Sequence, residues 1–383
     1  MDSILYKEQL KENDISDYNY SIDYDYHSNY ELILDRKFYY KKGLSGLINT
    51  GNKCYRNSII HCLVHTLKLT DYLLSGRLKK DAIDNNFSRR KNFNAVLQYV
   101  RLLSSIWENN ELLKPKLNEN QIDELSKYNN NNQHDSHEYL IDILNLLHDA
   151  LSYKINITIS GSVKTDTDYL MKESILYWKK EYENNYSEII NIFNGMTINL
   201  VECVNCRYRS NIFFECFNSL TIDLMNNENC ILTDSLDNYF KNCIINDWRC
   251  EKCEKTGCVK GLNIWNLPSH LIIVLKRFDN NGNKLKNHVD FPIDDLDLTR
   301  YICQTKGDPN NYIYSLYGIN YHNGDLKNGH YWSSIKNFDN NWYSFNDGNV
   351  SKYNFNNYNT SDIKSNLVTS DAYILFYHRK FIL

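Results

Sequence analysis

The hydrophobic period of this chain changes once, near Met196, and that change limits its fold more than any single residue does. Before it, apolar side chains recur at helical spacing: Ile59, Ile60, Leu63, Val64 and Leu67; then Phe93, Val96, Leu97, Val100, Leu103, Ile106 and Trp107; then Tyr139, Leu140, Ile143, Leu144 and Leu147. After it, short alternating or β-branched runs dominate, among them SLTIDL, HLIIVLKRF, YSLYGINYH, HYWSSIK, WYSFND and AYILFYH. Helices first and strands later predict an α+β protein, because a doubly wound α/β chain would alternate the two. Asn-rich patches at Tyr128 to Asn132, Asn280 to Asn283 and Asn354 to Asn359 read as loops, and no repeat of fixed period is present. Residues 1–42 carry few aliphatics and no helical period. They read as an acidic, Tyr-rich extension outside the core: an edge strand, a docking segment or a poorly ordered tail.

Charge and apolar run lengths bound the compartment and the partners. Over 383 residues, 43 Lys and Arg against 47 Asp and Glu leave a net charge of −4, which argues against a protein built to grip nucleic-acid phosphates. The chain opens MDSILYKEQLKEND, without the basic start and apolar core of a secretory signal. No apolar run approaches the ~20 residues that span a bilayer; SHLIIVLKRF is cut short by Lys276 and Arg277. The expectation is an intracellular protein, cytoplasmic or nuclear, neither secreted nor membrane-bound, whose 11 Cys are reduced. Its 31 Tyr beside 14 Gly and 4 Pro read as A/T-biased coding, not as a function.

Reduced cysteines serve as core residues, metal ligands or nucleophiles, and their surroundings separate the three. In GLINTGNKCYRNSIIHCL, Cys54 directly follows a Gly/Asn turn and directly precedes the first helical stripe. Unpaired amides and the positive end of the helix dipole stabilise a thiolate there, which makes the thiol a nucleophile near neutral pH. Asn49, on the same turn, carries an amide that can donate to the oxyanion formed when such a thiolate attacks a carbonyl. Taken alone, a Cys at the head of a helix is more often a buried structural residue.

Cys203 with Cys206, and Cys250 with Cys253, form two C-x-x-C knuckles. Each turns both sulfurs toward one ion, and the two together complete the four-thiolate tetrahedron of a structural zinc, saturated and therefore not catalytic. The 43 residues between the knuckles exceed the ~15–20 of a compact ribbon, and two long hairpins clamped at their tips account for the excess. The competing reading is four core thiols without metal. Cys243 and Cys258 lie near enough to replace a ligand, and Cys62, Cys216, Cys230 and Cys303 read as structural.

The segment around Cys54 resembles the Cys box of the ubiquitin-specific proteases, deubiquitinating cysteine peptidases whose pattern runs GL-x-N-x-GN-T-CY-x-NS-x-x-Q-x-L. Lys53 stands where the family usually has Thr, and His61 where it usually has Gln. YHNGDLKNGHYWSSIKNFDNNWYSFNDGNV is similar to the family's His box, H-x-G-x-x-x-x-GHY followed by W-x-x-F-[DN]-D. The resemblance makes His330 the general base, Asn346 the residue that accepts from its other ring nitrogen, and Asp347 an alternative or auxiliary orienter. His322 matches a first His that the family does not use for catalysis. QHDSHEYL is similar to the family's Q-Q-D-x-H-E-F, with His134 for a Gln and Tyr139 for a Phe. By that resemblance Asp135 and Glu138 contact the basic C-terminal tail of ubiquitin; the residues alone read as helix capping.

The matches run in family order from about Gly43 to Lys380. They imply a papain-like, right-hand architecture within the α+β class. After the extension at 1–42, a catalytic domain over 43–383 would comprise a helical thumb (about 43–190), zinc-clamped β fingers (about 196–262) and a β-sheet palm (about 263–383). The implied activity is cleavage of the peptide or isopeptide bond after the C-terminal glycine of ubiquitin, by a monomer holding one structural zinc ion and no catalytic cofactor. The rivals are a protease for a ubiquitin-like modifier and a catalytically silent ubiquitin-binding scaffold; an intact Cys, His and Asn set argues against the scaffold. A zinc-dependent nucleic-acid binder fits poorly, since FECFNSLTIDLMNNENC lacks a basic stripe.

Overall fold

The two hydrophobic periods become two layers. A computed structural model of the chain describes residues 36–108, 110–114, 123–225, 229–279, 282–303, 312–325, 328–355 and 359–380. Most of the N-terminal extension lies outside the described residues, as do parts of the Asn-rich patches at Asn280 to Asn283 and Asn354 to Asn359. The first half carries helices α1 (Arg36–Tyr39), α2 (Cys54–Val64), α3 (Leu67–Leu74), α4 (Arg77–Asp84), α5 (Phe93–Glu108), α6 (Ser136–Leu151), α7 (Asp166–Tyr182) and α8 (Glu188–Phe193). Strands follow: β1 (Gly195–Cys203), β2 (Arg209–Phe217), β3 (Leu220–Asp223), β4 (Asn229–Ile231), β5 (Cys243–Arg249), β6 (Thr256–Asn266), β7 (His270–Lys276), β8 (His288–Asp290), β9 (Leu296–Asp297), β10 (Ile313–Gly324), β11 (Gly329–Lys336), β12 (Trp342–Asn346), β13 (Asn349–Lys352) and β14 (Ala372–Arg379). Two short helices, α9 (Leu232–Tyr239) and α10 (Thr360–Leu367), lie among them. No helix among the described residues is long and apolar enough to cross a membrane.

The palm is a sheet in the order β13-β12-β11-β10-β14-β7-β3, antiparallel except for the parallel β3–β7 pair, with β9 added to β10. Successive side chains of a strand point to opposite faces. Ile272, Val274, Ile374 and Phe376 thus pack toward the helices, while Leu271, Ile273, Leu275, Leu375 and Tyr377 fill a second core on the other face with Leu232 and Leu236 of α9. Both faces are covered, which is why HLIIVLK and AYILFYH read as nearly unbroken apolar runs.

Helix α2 is buried along its whole length. Its Ser58 is accommodated by pairing: Oγ accepts from Asn320 Nδ2 at 2.8 Å, and Asn320 Oδ1 accepts from Ser136 Oγ at 2.9 Å. That chain joins α2, the palm strand β10 and the head of α6, and gives buried polar groups the partners they require.

The fingers are a separate sheet, β2-β1-β6-β5. Each knuckle is the turn of one hairpin, Cys203–Cys206 between β1 and β2 and Cys250–Cys253 between β5 and β6. The two turns are built alike. The residue after each knuckle, Arg207 and Glu254, has φ of 60° and donates its N–H to the carbonyl of the first cysteine, at 3.0 and 2.9 Å. Between the hairpins the chain leaves the fingers: β3 joins the palm and α9 packs beside it. The long gap between knuckles therefore holds an excursion into the palm as well as two hairpins.

Candidate active site

The turn before α2 is tight. Gly51 and Asn52 both take left-handed backbone, with φ of 90° and 55°, the region that glycine and asparagine enter most readily. Asn49 Oδ1 accepts from the Lys53 N–H at 2.8 Å and closes the turn. Cys54 opens α2, buried at 2% exposure, where the first amides of a helix lack intrahelical acceptors.

Strands β11 and β12 bring His330 and Asn346 to this point, their register set by Ser333 opposite Phe345. His330 Nε2 lies 2.7 Å from Asn346 Oδ1. An amide oxygen only accepts, so Nε2 carries a proton and Nδ1 is left for Cys54. A hydrogen bond donated by the ring to the Cys54 sulfur pushes the His330 imidazole up to about 9. Partial burial opposes that rise, and the bond to Asn346 with the charges of Cys54 and Asp347 adds to it. At neutral pH the ring is an imidazolium beside a sulfur. Such a pair offers a nucleophile and a proton donor in one place.

Asp347, expected as a second orienter of the ring, turns the other way. Its Oδ2 accepts from Asn49 Nδ2 at 3.0 Å and its Oδ1 from Asn57 Nδ2 at 2.9 Å. It holds the Asn49 amide, and acts on His330 through charge.

Asp135 is the N-cap of α6: Oδ1 accepts from the backbone of His137 (2.7 Å) and Glu138 (3.1 Å), and Oδ2 from the Tyr373 hydroxyl at 2.8 Å. Glu138 pairs with Lys127 at 2.8 Å. Asp135 thus caps the helix as the residues alone suggest, while the pairing of Glu138 with Lys127 is an addition from the structure. His61 is fully buried, with neither ring nitrogen hydrogen-bonded, and its ring centre lies 4.4 Å from that of Phe345, beside Asn346.

Sequence reasoning missed Gln133 and Asn57. Gln133 grips the backbone of Gly329, the residue before His330, and Asn57 holds Asp347 from α2. Both stand inside the segments that carry the family resemblance, but their partners lie nearly 200 and 290 residues away, so what each one grips is not written locally.

The four knuckle sulfurs lie within 4.8 Å of one another, with Cys203 to Cys253 at 3.7 Å and Cys206 to Cys250 at 3.6 Å. Four thiolates bound to one zinc at ~2.3 Å sit about 3.8 Å apart, so this donor set fits a metal ion such as zinc. Cys258 is buried opposite Cys203 and Cys243 is exposed on β5; neither belongs to the cluster.

Residues 45–377 match the family described as ubiquitin carboxyl-terminal hydrolase. The chain is 29% identical over 348 residues to ubiquitin carboxyl-terminal hydrolase 2 of Bos taurus, covering 88% of this chain and 55% of that protein. It is 30% identical over 348 residues to ubiquitin carboxyl-terminal hydrolase Usp2 of Drosophila melanogaster, covering 88% of this chain and 35% of that one. It thus spans about half the length of the first relative and about a third of the second. Among solved structures, the SAGA Ubp8/Sgf11/Sus1/Sgf73 DUB module bound to ubiquitin aldehyde aligns with a TM-score of 0.65 at 24% identity, over 90% of this chain and 71% of the other. The Ubp8-Sgf11-Sgf73-Sus1 SAGA DUB module aligns at 0.62 and 23%, over 90% and 69%. At these identities the likeness is one of fold.

Proposed function

Because this chain belongs to the ubiquitin carboxyl-terminal hydrolase family, we propose that it cleaves the peptide or isopeptide bond after the C-terminal glycine of ubiquitin, with Cys54 as nucleophile, His330 as proton carrier and Asn346 as its orienter. The observation that carries this reading is the imidazole of His330 held between the Cys54 side chain and Asn346 Oδ1. The Cys54 sulfur attacks the glycine carbonyl carbon; a C–S bond forms and the carbonyl electron pair moves onto oxygen. Asn49 Nδ2, steadied by Asp347, and the first amides of α2 donate to that oxyanion. As the tetrahedral intermediate collapses, the C–N bond breaks and the departing amine takes the proton of His330. The neutral ring then takes a proton from water, whose oxygen attacks the thioester. The C–S bond breaks with its electron pair going to sulfur, the carboxylic acid leaves and gives its remaining proton to solvent, and the starting Cys54–His330 pair is restored.

The fingers in this reading hold the globular body of ubiquitin, and Cys203, Cys206, Cys250 and Cys253 hold one zinc ion that fastens the two hairpin tips. A saturated four-thiolate zinc supplies folding energy and no chemistry. Asp135, fixed by Tyr373, and Glu138, after exchanging Lys127, receive the basic tail of ubiquitin. The chain acts as a monomer in this account, although Ubp8 is seen within a four-protein module. The test is Cys54→Ala, which is expected to abolish turnover of a fluorogenic ubiquitin substrate while ubiquitin binding persists; retained turnover would sink the mechanism.

A further inference from the structure

Lys53 stands directly before Cys54 and is buried at 6% exposure, a rare state for lysine. Its Nζ donates to the carbonyl of Tyr128. Tyr128 ends the 3₁₀ helix Asp123–Tyr128, where a carbonyl lacks a helical partner and welcomes a cation. That residue is firmly seated: its hydroxyl donates to Asp142 at 2.6 Å, and its ring centre lies 5.0 Å from that of Tyr139.

The chain then crosses the turn that carries Cys54. The Asn131 carbonyl accepts from Asn52 Nδ2 at 2.8 Å, and the Asn131 side chain lies so close to Gly51 that a Cβ there would sit 2.8 Å from Oδ1. Next comes Gln133, whose amide binds Gly329 twice, donating from Nε2 to its carbonyl and accepting at Oε1 from its N–H, each at 2.5 Å. On its other side Gly329 is pressed against the ring of His322, where a Cβ would collide. His330 follows immediately.

Residues 128–133 therefore touch both halves of the site. We propose that Lys53 is a positioning residue: it draws Tyr128 onto the Cys54 turn and so anchors a strap, residues 128–133, whose far end fixes Gly329 and sets His330 at hydrogen-bonding reach of Cys54. This rests on the reading of Cys54 and His330 given above. The lysine stem carries its nitrogen four bonds beyond Cβ, a reach that the threonine usual at this position in the family lacks. An ammonium buried without an acceptor would be costly, and the Tyr128 carbonyl supplies one.

The experiment compares Lys53→Met, Lys53→Arg, Gln133→Ala and the double variant Lys53→Met with Gln133→Ala against wild type. It measures kcat and KM for a ubiquitin fluorogenic amide across pH, and thermal melting for each protein. Lys53→Met is expected to lower kcat about 10- to 100-fold, with KM within about twofold. Its alkaline limb of kcat/KM should move to lower pH, because a ring that loses the Cys54 hydrogen bond holds its proton less firmly. Lys53→Arg should recover most of kcat, and the double variant should be no slower than the slower single one, since both changes release one strap. Wild-type kcat and pH profile in Lys53→Met overturn the proposal. So do losses that multiply in the double variant, or a loss that tracks melting temperature with the pH profile unmoved. Cys54→Ala, run beside them, separates the two levels: turnover that survives it overturns the site reading and the strap together. Turnover that needs Cys54 but is indifferent to Lys53→Met overturns the strap alone.

Discussion

A histidine held between a thiol and an amide oxygen keeps its proton, and that decides which step it serves first. With its imidazole pushed up to about 9 by the Cys54 hydrogen bond, His330 enters the proposed reaction as the acid that protonates the leaving amine, and becomes the base only for the attacking water. The form needed for the first step is lost as pH rises through that value, so kcat/KM should fall above about pH 9. Asn346→Ala removes one of the hydrogen bonds that hold the value up. It should move the alkaline limb to lower pH and lower kcat by about tenfold or more, read from a pH–rate profile. Asp347→Ala releases Asn49 and Asn57 together. The expected loss in kcat is about 10²-fold, the scale of one oxyanion donor, with the limb displaced less than by Asn346→Ala. An equal displacement by both would show Asp347 orienting the ring itself.

Elements were legible in the sequence in proportion to how locally their cause is written. The stripes of α5 and α6 and the apolar runs of β7 and β14 carry their own period, and the structure contains all four. Strand β3 is also written locally, in SLTIDL, whereas β4 and β9 are three and two residues long and carry no period of their own; β4 becomes a strand through β8, far along the chain. The C-x-x-C spacing showed the four sulfurs, but not that β3 and α9 leave the fingers between the two knuckles. At the site, the helix-head position of Cys54 was written locally, and the resemblance picked out His330 and Asn346. The grip of Gln133 on Gly329 and of Asn57 on Asp347 was not written locally, because each joins segments distant in the chain. The like-built hairpin turns lead to a prediction at this scale. Cys206→Ser or Cys250→Ser should reduce bound zinc from one per chain toward none and lower the melting temperature by several degrees. Metal analysis and a thermal melt check it; full stability with no zinc bound would mean that the four thiols pack without an ion.

Across the whole molecule, several histidines are folded in neutral. Burial lowers His65, His322 and His378 to about 4, and holds His61 and His270 well below the ordinary histidine range. As pH falls below about 6.5, the unfolded chain takes up protons that the fold refuses. Their contribution is thus fully present above that value and is lost as pH falls through about 4, at about 1.4 kcal/mol per pH unit for each proton. Denaturant unfolding at pH 7, 6 and 5 should show stability falling at each step, and a flat profile would show that these rings are solvated. The same fold brings the head of α2 against the ends of β11 and β12, and on that meeting the account of function rests. Its central claim, that Cys54 is the nucleophile toward the C-terminus of ubiquitin, is tested most directly by incubating the protein with ubiquitin bearing a C-terminal electrophile and mapping the adduct by mass spectrometry. The account predicts one ubiquitin per chain, attached at Cys54 and absent after His330→Ala at neutral pH. An adduct on another cysteine, or none on a folded protein, would contradict it.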